Sequence, residues 1–343
     1  MKRHLNTLFV TTEGAYLRKD GLAVVVMVDK EIKLRLPLHN LDGIVCFGNI
    51  MCTPSLMGAC AKAGVSLSFL STYGGFIAAV NGFSPGNVLL RREQYRRADD
   101  PESTLEIARH FVAAKISNCR AVLLRAARDT PRQASSEKLR STARRLSHNV
   151  QSALKVGNID SLRGIEGDGA NLYFSVFNEL YSQNVVGFNF THRSRRPPLD
   201  RINALLSFLY SMLTHDARSA CEASGLDAAV GFLHRDRPGR PGLSLDLIEE
   251  FRGFLADRMA LSLINRKQIQ ETDFDVTESG AILLKEKSRK VVLTAWQKRK
   301  QDTITHPFLG EKTTIGLLVH LQARLLARFL RGDIDDYPPF IWK

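Results

Sequence analysis

The sequence predicts an α+β protein in which a β-rich N-terminal domain over residues 1–85 precedes a larger all-α domain over residues 101–331. Two observations carry this prediction. The apolar residues recur with a period near two up to about residue 80 and with a period near 3.6 after it. The chain also has 343 residues, 44% of them hydrophobic, which is enough for two domains with a core each and excludes a disordered chain.

Short apolar segments separated by turn residues predict the strands of the first domain. The predicted strands cover residues 5–10, 22–28, 32–36, 43–47, 65–70 and 76–80. Pairs such as Glu13-Gly14 and Asp29-Lys30 lie between strands and predict hairpin turns. One short helix is predicted from Pro54 to Ala63, because Gly64 follows it.

A cluster of turn formers separates the two domains. Gly82, Pro85 and Gly86 predict a linker, which we place over residues 86–100. Helical apolar spacing then predicts helices over residues 105–128, 138–154, 171–182, 201–221, 245–265 and 315–330. Two prolines end the basic segment 193–198, which predicts a loop, and residues 332–343 are predicted to form an irregular C-terminal tail.

The charge of the chain indicates an anionic partner. Lys and Arg number 48 against 35 Asp and Glu, a formal net charge of +13. The surplus is concentrated in residues 91–145, with seven more basic than acidic side chains, and in residues 285–300, with six more. No basic amphipathic anchor for a membrane surface is evident, so nucleic acid is the favoured partner. Each basic segment taken alone is more typical of a solvated helix face, but two such segments in an otherwise balanced chain favour an anionic partner.

Cysteine usage and hydropathy exclude several other classes. The five cysteines are irregularly spaced and include no CxxC pair, which argues against a zinc ribbon and against a disulfide framework. No segment approaches the ~18 apolar residues of a membrane span, and the N-terminal residues do not form a signal-peptide apolar block. We therefore expect a cytoplasmic protein with no membrane partner.

Glu166 is the first candidate site residue. It lies between Gly164 and Gly167, and glycines beside it allow the backbone to bend and a bulky ligand to approach the carboxylate. The alternative is that Glu166 complements the macrodipole of a helix that begins near Ala170.

His234, Asp246 and Glu249 form the second candidate group. Asp246 and Glu249 are three residues apart, so they project from one side of the predicted helix, next to its apolar stripe. Such an arrangement suits a cleft. The alternative is ordinary helix capping, with Ser244 as N-cap and His234 as a hydrogen-bonded loop residue.

Together these four side chains predict a metal site. One imidazole with two or three carboxylates is a nitrogen and oxygen donor set that suits Mg²⁺ or Mn²⁺, and the lack of a thiolate set disfavours zinc. A divalent ion can neutralise charge on a phosphodiester and lower the pKa of a bound water or hydroxyl. Combined with the basic charge, the donor set indicates phosphoryl-transfer chemistry on a polyanion.

Segments spread along nearly the whole chain resemble one family. They include Pro37-Leu38-His39-Asn40-Leu41, Gly86-Asn87-Val88-Leu89-Leu90-Arg91, Arg163-Gly164-Ile165-Glu166-Gly167, Arg196-Pro197-Pro198-Leu199-Asp200, Gly231-Phe232-Leu233-His234 and Leu245-Asp246-Leu247-Ile248-Glu249-Glu250-Phe251. In order and spacing the sequence resembles the CRISPR-associated integrase, the larger and universal subunit of the spacer-acquisition complex. Within that family it resembles the subtype I-C branch.

The resemblance implies a fold, partners and a site. The fold is an N-terminal β-sandwich-like domain followed by an all-helical catalytic domain. The partners are double-stranded DNA, as prespacer and as CRISPR repeat, a second copy of the chain, and a small dimeric subunit that completes a hetero-oligomer. The implied metal ligands are Glu166, His234 and Glu249, with Asp246 as a possible additional ligand. Some branches of the family have Asp at the position of Glu249.

The implied activity is metal-dependent DNA cleavage and the joining of prespacer 3′-hydroxyls to the repeat by transesterification. The candidate DNA contacts are Arg193, Arg195, Arg196, Lys285, Lys287, Arg289 and Lys290. For Lys285, Lys287, Arg289 and Lys290, a solvated loop is the alternative. Two other functions stay open: a basic DNA-binding scaffold without catalysis, in which the acidic residues cap helices and pair with arginines, and a free-standing metallonuclease.

Overall fold

The protein divides into two compact units in the computed structural model, which describes residues 6–41, 43–72, 76–80, 88–182 and 185–342. The first, here the sheet unit, contains Met1–Pro85, Leu284–Thr303 and Thr314–Leu317. The second, here the helical unit, contains Gly86–Leu283, Ile304–Thr313 and Leu318–Lys343. The prediction of an uninterrupted α domain over residues 101–331 is therefore corrected. A basic helix within residues 284–303 packs with the sheets, because Gln297 donates to the carbonyl of Thr7 at 3.0 Å.

Two four-stranded sheets form most of the sheet unit. Its strands are β1 (Thr7–Val10), β2 (Tyr16–Asp20), β3 (Ala23–Val28), β4 (Glu31–Pro37), β5 (Gly43–Phe47), β6 (Met51–Cys52), β7 (Ser66–Leu70) and β8 (Phe76–Val80). One sheet has the order β1-β5-β7-β8, with the first three strands parallel and β8 antiparallel to β7. The other has the order β4-β3-β2-β6. Strand β2 was not predicted, because Arg18, Lys19 and Asp20 hide its alternation.

One hydrophobic core joins the two sheets. It contains Leu17 and Val24 from one sheet, Ile44 and Leu67 from the other, and Leu56 from helix α1 (Pro54–Ala63). A core shared by two facing sheets agrees with the β-sandwich-like domain that the resemblance implies. The predicted bounds of α1 are confirmed, because its signals are local. The Thr53 side chain accepts a hydrogen bond from the first turn, and Gly64 ends the helix at φ 68°.

The helical unit begins one helix earlier than predicted. Residues 86–100 were predicted to be a linker, but α2 occupies Val88–Asp99, and residues 81–87, which carry the turn signals, lie outside the described residues. The following helices are α3 (Pro101–Asp129), α4 (Gln133–Lys155), α5 (Ile159–Ser175), α6 (Arg201–Ala223), α7 (Gly242–Glu249) and α8 (Arg258–Asn265). The remaining elements are β9 (Phe274–Val276), β10 (Ile282–Leu284), α9 (Glu286–Gln301), β11 (Thr303–Thr305), β12 (Lys312–Thr314) and α10 (Ile315–Leu330).

Helix α5 starts about twelve residues before the predicted helix over residues 171–182. Its N-cap is Asn158, whose side chain accepts from Ser161 N at 2.8 Å. Gly164, Gly167 and Gly169 lie inside the helix rather than in a loop before it. Gly169 allows close packing on α3, since a Cβ there would lie 3.1 Å from a side-chain carbon of Ile116. The glycines therefore permit helix contact and do not mark a bend.

The predicted helix over residues 245–265 is divided by a π-helical segment, Arg252–Asp257, between α7 and α8. Ser244 is a buried residue inside α7 and not its N-cap, which is Pro241. The segment around Gly253 packs against α3, because a Cβ at this glycine would lie 3.2 Å from Cys119 Sγ. Such π segments are frequent at functional sites.

The C-terminal tail has no regular secondary structure over residues 332–342, as predicted, yet it is anchored in the helical unit. Tyr337 Oη donates to Glu250 Oε1 at 2.5 Å, and Phe340 N donates to Glu250 Oε2 at 2.7 Å. The Asn118 side chain donates to the carbonyl of Phe340 at 2.8 Å. All five cysteines are free thiols. Among the described residues, no helix is long and apolar enough to cross a membrane.

Candidate functional site

Three helices of the helical unit bring a lysine and two glutamates together. Lys115 lies on α3, Glu166 on α5 and Glu249 at the C-terminal end of α7. The Lys115 ammonium contacts Glu166 Oε1 and lies 2.8 Å from Glu249 Oε2. Arg252 contacts the other oxygen of Glu249 at 2.6 Å. Two carboxylates from separate helices thus share one ammonium.

The cluster is largely removed from water. Lys115 is 7% exposed and Glu249 is 2% exposed. Burial alone raises the pKa of Glu249, but the charges of Arg252, Lys115 and His234 outweigh it and lower the pKa to about 2. Burial likewise lowers the pKa of Lys115, but Glu249 and Glu166 outweigh it and raise the pKa. The buried charges are therefore ionised because they neutralise one another.

His234 faces Glu249 from the loop before α7. Its Nε2 lies 3.9 Å from Glu249 Oε1, and its Nδ1 lies 2.6 Å from Asp246 Oδ1. Because a carboxylate accepts, Nδ1 is the donor of this hydrogen bond, and Nε2 is the ring nitrogen that faces Glu249. Asp246 also accepts from the backbone N–H groups of Phe232, Leu233 and His234, at 2.6, 3.0 and 3.1 Å. With four hydrogen bonds accepted, Asp246 is placed to orient His234.

Two glycines allow this loop to approach α7. A Cβ on Gly231 would lie 2.6 Å from Asp246 Oδ2, and a Cβ on Gly242 would lie 2.5 Å from the carbonyl of Ala229. Both distances are shorter than real Cβ contacts, so only glycine fits. Arg163 on α5 ties the loop to the neighbouring helix by donating to the carbonyl of Leu233 at 2.9 Å.

We expect Asp246→Asn to lower the free energy of unfolding by about 2 to 3 kcal/mol, since an amide cannot accept all four hydrogen bonds and leaves buried donors unpaired. Urea unfolding measures this loss, and nitrogen NMR of the His234 ring reports whether Nδ1 keeps its proton. Asp168→Asn is the matched control, because Asp168 is exposed and its carboxylate accepts from the Asn149 side chain at 2.7 Å. Equal stability of the two variants would contradict the positioning role.

The structure brings Glu166, His234 and Glu249 to one place without arranging them as a metal-binding set. Within the described ranges, no three His, Cys, Asp or Glu side chains are placed to hold a metal ion. The Lys115 ammonium lies between the two carboxylates, where it supplies a positive charge. The Glu249 Oε2 atom is buried and, apart from this ion pair, makes no hydrogen bond with the described residues. Two carboxylates and an imidazole nitrogen are a donor set that fits a divalent cation chemically.

The alternative of helix electrostatics for Glu166 is wrong. Glu166 lies in the middle of α5, beyond the first turn where the macrodipole acts. Capping is also wrong for Asp246 and Glu249, because α7 has no side-chain cap and both carboxylates contact other elements.

The arginines before Pro197 have different environments. Arg193 fixes the loop to α6, donating to Asn203 Oδ1 at 2.6 Å and to Ser207 Oγ at 3.2 Å. Arg195 and Arg196 are exposed. Of these three arginines, Arg195 and Arg196 therefore present their charge to solvent.

Of the other predicted DNA contacts, Lys287, Arg289 and Lys290 lie on α9 in the sheet unit, and Lys285 precedes this helix as its N-cap. Arg289 donates to the carbonyl of Thr72, and Lys290 pairs with Glu286 at 3.4 Å. Lys285 and Lys287 are exposed. Arg289 thus has an intramolecular role, while DNA binding by the three lysines stays a prediction.

Sequence reasoning missed Lys115 and Arg252. Lys115 was counted with the basic segment, although a signal was present: it follows Phe111-Val112-Ala113-Ala114 and precedes Ile116, so a charge interrupts an apolar run. A charge on the buried face of a helix indicates a buried partner. Arg252 had no such signal, because the π-helical segment changes the face on which it projects.

A second polar cluster lies beside the first. Asp257 is buried and accepts from Tyr210 Oη at 2.7 Å. Burial raises the pKa of Asp257 to about 6, although hydrogen bonds from tyrosine and the charges of Arg193 and Arg252 oppose this. The ring of Tyr173 is buried against Phe174 and Phe177 and belongs to the core of the helical unit.

The raised pKa of Asp257 makes stability depend on pH. Between pH 3.8 and about 6 the folded protein keeps a proton that the unfolded chain releases, so the free energy of unfolding falls as pH rises through this window. Relative to Asp257→Asn, which does not titrate, we expect a fall of about 1.4 kcal/mol per pH unit. Urea unfolding of both proteins from pH 4 to 7 measures the difference. Parallel profiles would contradict the prediction.

The fold and the site together define a class: an α+β protein with a sheet unit and a helical unit, in which the helical unit holds a buried group of two carboxylates, an imidazole and their counter-cations. Within that class, the chain belongs to the Cas1 family, because the model of CRISPR associated protein Cas1 matches residues 8–298. The family resemblance found in the sequence is thereby confirmed.

Individual proteins show the same likeness. CRISPR-associated endonuclease Cas1 1 of Chlorobaculum tepidum is 53% identical over 343 residues, covering 100% of both chains. Two solved structures, a casposase bound to integration product and a Cas6-RT-Cas1–Cas2 complex, each match with a TM-score of 0.83 at 23% identity. The match to the casposase covers 97% of this chain and 92% of the casposase chain. The match to the Cas6-RT-Cas1–Cas2 complex covers 100% of this chain and 36% of the matched chain in that complex. At this identity the two structures establish the fold alone.

Proposed function

We propose that the chain is a divalent-metal-dependent DNA endonuclease and integrase, which joins the 3′-hydroxyls of prespacer DNA to the repeat of a CRISPR array. The observation that carries the proposal is the convergence of Glu166, Glu249 and His234 Nε2 from three elements of the helical unit. The endonuclease name of the Chlorobaculum tepidum relative supports it, and so does the casposase, whose structure contains an integration product.

In this proposal Glu166, Glu249 and His234 hold Mg²⁺ or Mn²⁺. When bound, such an ion neutralises charge on a phosphodiester and lowers the pKa of an attacking hydroxyl or water. Lys115 and Arg252 keep Glu249 ionised, which is the form that binds a cation. Asp246 keeps the His234 proton on Nδ1, so that Nε2 is available as a ligand. We therefore assign Asp246 to positioning rather than to the additional ligand role.

The proposed reaction exchanges one phosphodiester for another. The prespacer 3′-oxygen forms a bond to a repeat phosphorus, the existing bond from that phosphorus to a 3′-oxygen breaks, and the departing 3′-oxygen takes up a proton. Water in place of the hydroxyl gives cleavage. No energy source is needed, because the numbers of phosphodiester bonds before and after joining are equal.

DNA is held through its phosphates in this proposal, and these contacts carry little sequence information. Arg195 and Arg196 near the site and Arg144 and Arg145 on α4 are exposed and suited to this role. The working assembly is a homodimer joined to a small dimeric subunit, as the presence of Cas1 with Cas2 in a solved complex supports. The subtype I-C branch and the cytoplasmic location rest on the sequence alone.

A second candidate function is a basic DNA-binding scaffold without catalysis. One observation favours it: Glu166 and Glu249 are already paired with Lys115 and Arg252, as the scaffold predicts. The burial of these charges argues against the scaffold, because a buried ion pair contributes little net stability once the cost of removing both charges from water is counted. A free-standing metallonuclease would cut DNA without needing a partner subunit.

A strand-transfer assay separates these functions. The wild type, its small partner subunit, a short duplex with free 3′-hydroxyls and a supercoiled plasmid with a CRISPR repeat are combined in Mn²⁺, Mg²⁺ or EDTA. The proposal expects covalent joining in either metal and none in EDTA. DNA binding without joining or cutting in metal would establish the scaffold instead. If DNA is cut but not joined, and cutting requires neither the small partner subunit nor the CRISPR repeat, the protein is a free-standing metallonuclease.

A further inference from the structure

The C-terminal tail reaches the residues next to the carboxylate cluster. Glu250, which directly follows Glu249, is fully buried. Its Oε1 accepts from Tyr337 Oη at 2.5 Å, and its Oε2 accepts from Phe340 N at 2.7 Å and from the Gln322 side chain at 2.9 Å. Hydrogen bonds are directional, so three donors on two oxygens fix both the position and the orientation of this carboxylate. The end of α7, where Glu249 lies, is thereby tied to the tail.

Asn118 gives α3 the same connection. It lies three residues after Lys115, so the two side chains are neighbours along the helix. Its amide donates to the carbonyl of Glu250 at 2.7 Å and to that of Phe340 at 2.8 Å, and its Oδ1 accepts from Trp342 N at 2.7 Å. Both donors and the acceptor of this buried amide therefore join α3, the end of α7 and the tail.

Aromatic side chains extend the contact to the π-helical segment that carries Arg252. The Phe340 ring stacks on that of Phe251 with centres 5.1 Å apart, and it packs on Phe254 at 5.0 Å. Trp342 packs on Phe254 at 5.4 Å. Because buried side chains are close-packed, these rings restrict the movement of the segment. The tail therefore contacts α3, the end of α7 and the π-helical segment, which bear the lysine, one glutamate and the arginine of the cluster.

We infer that residues 337–342 act as a positioning strap, which holds the side chains of the carboxylate cluster in the arrangement that the reaction needs. Its effect on the reaction rests on the proposed function, whereas its hold on the cluster does not. The buried carboxylate of Glu250 favours this role over simple anchoring. Apolar packing alone would attach the tail without the free-energy cost of removing a carboxylate from water. The hydrogen bonds to this carboxylate add a fixed register between the tail and α7, and catalytic groups require such support.

The kinetic test compares Tyr337→Phe with the wild type in the Mn²⁺ strand-transfer assay. The substitution removes only the hydroxyl, which donates to Glu250. We expect kcat to fall about tenfold with KM for DNA unchanged, because misplaced catalytic groups slow the reaction without weakening substrate contacts elsewhere. Trp342→Ala, at a half-buried position, is a second variant and is expected to lower kcat about threefold. If Tyr337→Phe does not fold, Trp342→Ala carries both this measurement and the next.

The structural test measures amide hydrogen exchange by mass spectrometry, in EDTA and without DNA. We expect Tyr337→Phe to speed exchange about threefold both in the tail and in residues 245–254, since loosening the strap loosens the elements that it holds. Tyr181→Phe is the matched control for both measurements, because it also loses a buried hydroxyl, which donates to Asn178 at 2.5 Å. This control is expected to keep the kcat of the wild type and its exchange rates in residues 245–254.

Faster exchange in the tail alone, or an unchanged kcat in both Tyr337→Phe and Trp342→Ala, would overturn the strap. A higher KM with unchanged kcat would also overturn it, because that result assigns the tail to DNA binding. So would an equal loss of kcat in Tyr181→Phe. If the wild type does not join DNA while Tyr337→Phe still speeds exchange in residues 245–254, the proposed function is rejected and the hold of the tail on the cluster is retained.

Discussion

Glu166→Gln is expected to reduce strand transfer and DNA cleavage by roughly a thousandfold, because a carboxylate that binds the catalytic cation contributes several kcal/mol to transition-state stabilisation. Glutamine keeps the size of the side chain and removes its charge. DNA binding is expected to persist, since the proposed DNA contacts are arginines outside the cluster. The measurement is the strand-transfer assay in Mn²⁺ together with a DNA-binding titration of the same variant.

Glu179→Gln is the matched control for this variant. Glu179 follows α5, accepts from Ser135 at 2.7 Å and pairs with Lys138 at 3.0 Å, away from the carboxylate cluster. It is expected to join DNA at a rate close to that of the wild type. Full activity of Glu166→Gln would remove Glu166 from the chemistry, and loss of DNA binding together with activity would show that the variant disturbs more than the site.

Lys115→Met is expected to lower the free energy of unfolding in EDTA by about 3 to 5 kcal/mol, because it leaves two buried or half-buried carboxylates without their shared ammonium. Methionine fills a similar apolar volume, so the lost charge is the main change. Mn²⁺ is expected to restore much of this stability, and to stabilise the variant more than the wild type, because no ammonium competes for the carboxylates. Urea unfolding in EDTA and in Mn²⁺ measures both effects.

Lys138→Met controls for loss of an exposed lysine. Lys138 pairs with Glu179 at the surface, and such pairs contribute about 0 to 1 kcal/mol. A small effect of Mn²⁺ on this control, with a large one on Lys115→Met, would place the cation at the two carboxylates. If Mn²⁺ stabilises neither variant nor the wild type, the carboxylates do not hold a metal, and the scaffold becomes the better account of the cluster.

These two variants test different properties of one cluster. Glu166→Gln removes a donor and tests catalysis, whereas Lys115→Met removes a competitor and tests cation binding without DNA. The metal-dependent enzyme requires both expected results. Catalytic loss in the first variant without cation binding in the second would retain Glu166 in the reaction and reject the metal site.

Local signals predicted several elements well. The bounds of α1 and α10 agree with the predicted ranges, because a capping Thr, a terminal Gly and a 3.6-residue period act within a few residues of the chain. The start of α5 was wrong because glycines in a helix resemble a loop when only their intrinsic propensity is considered. Packing of Gly169 on Ile116 overrides that propensity, and it depends on a helix some fifty residues earlier in the chain.

By itself the sequence determined the family, the division into a strand-rich and a helix-rich part, the basic charge, and the set Glu166, His234, Asp246 and Glu249, since residue type and spacing carry this information. Only the tertiary structure decided what each of these side chains does. It placed Lys115 between two glutamates and made Asp246 the hydrogen-bond partner of the His234 loop. The reason is physical: the charge and hydrogen bonding of a buried group depend on neighbours from other helices, and those neighbours meet only when the helices pack.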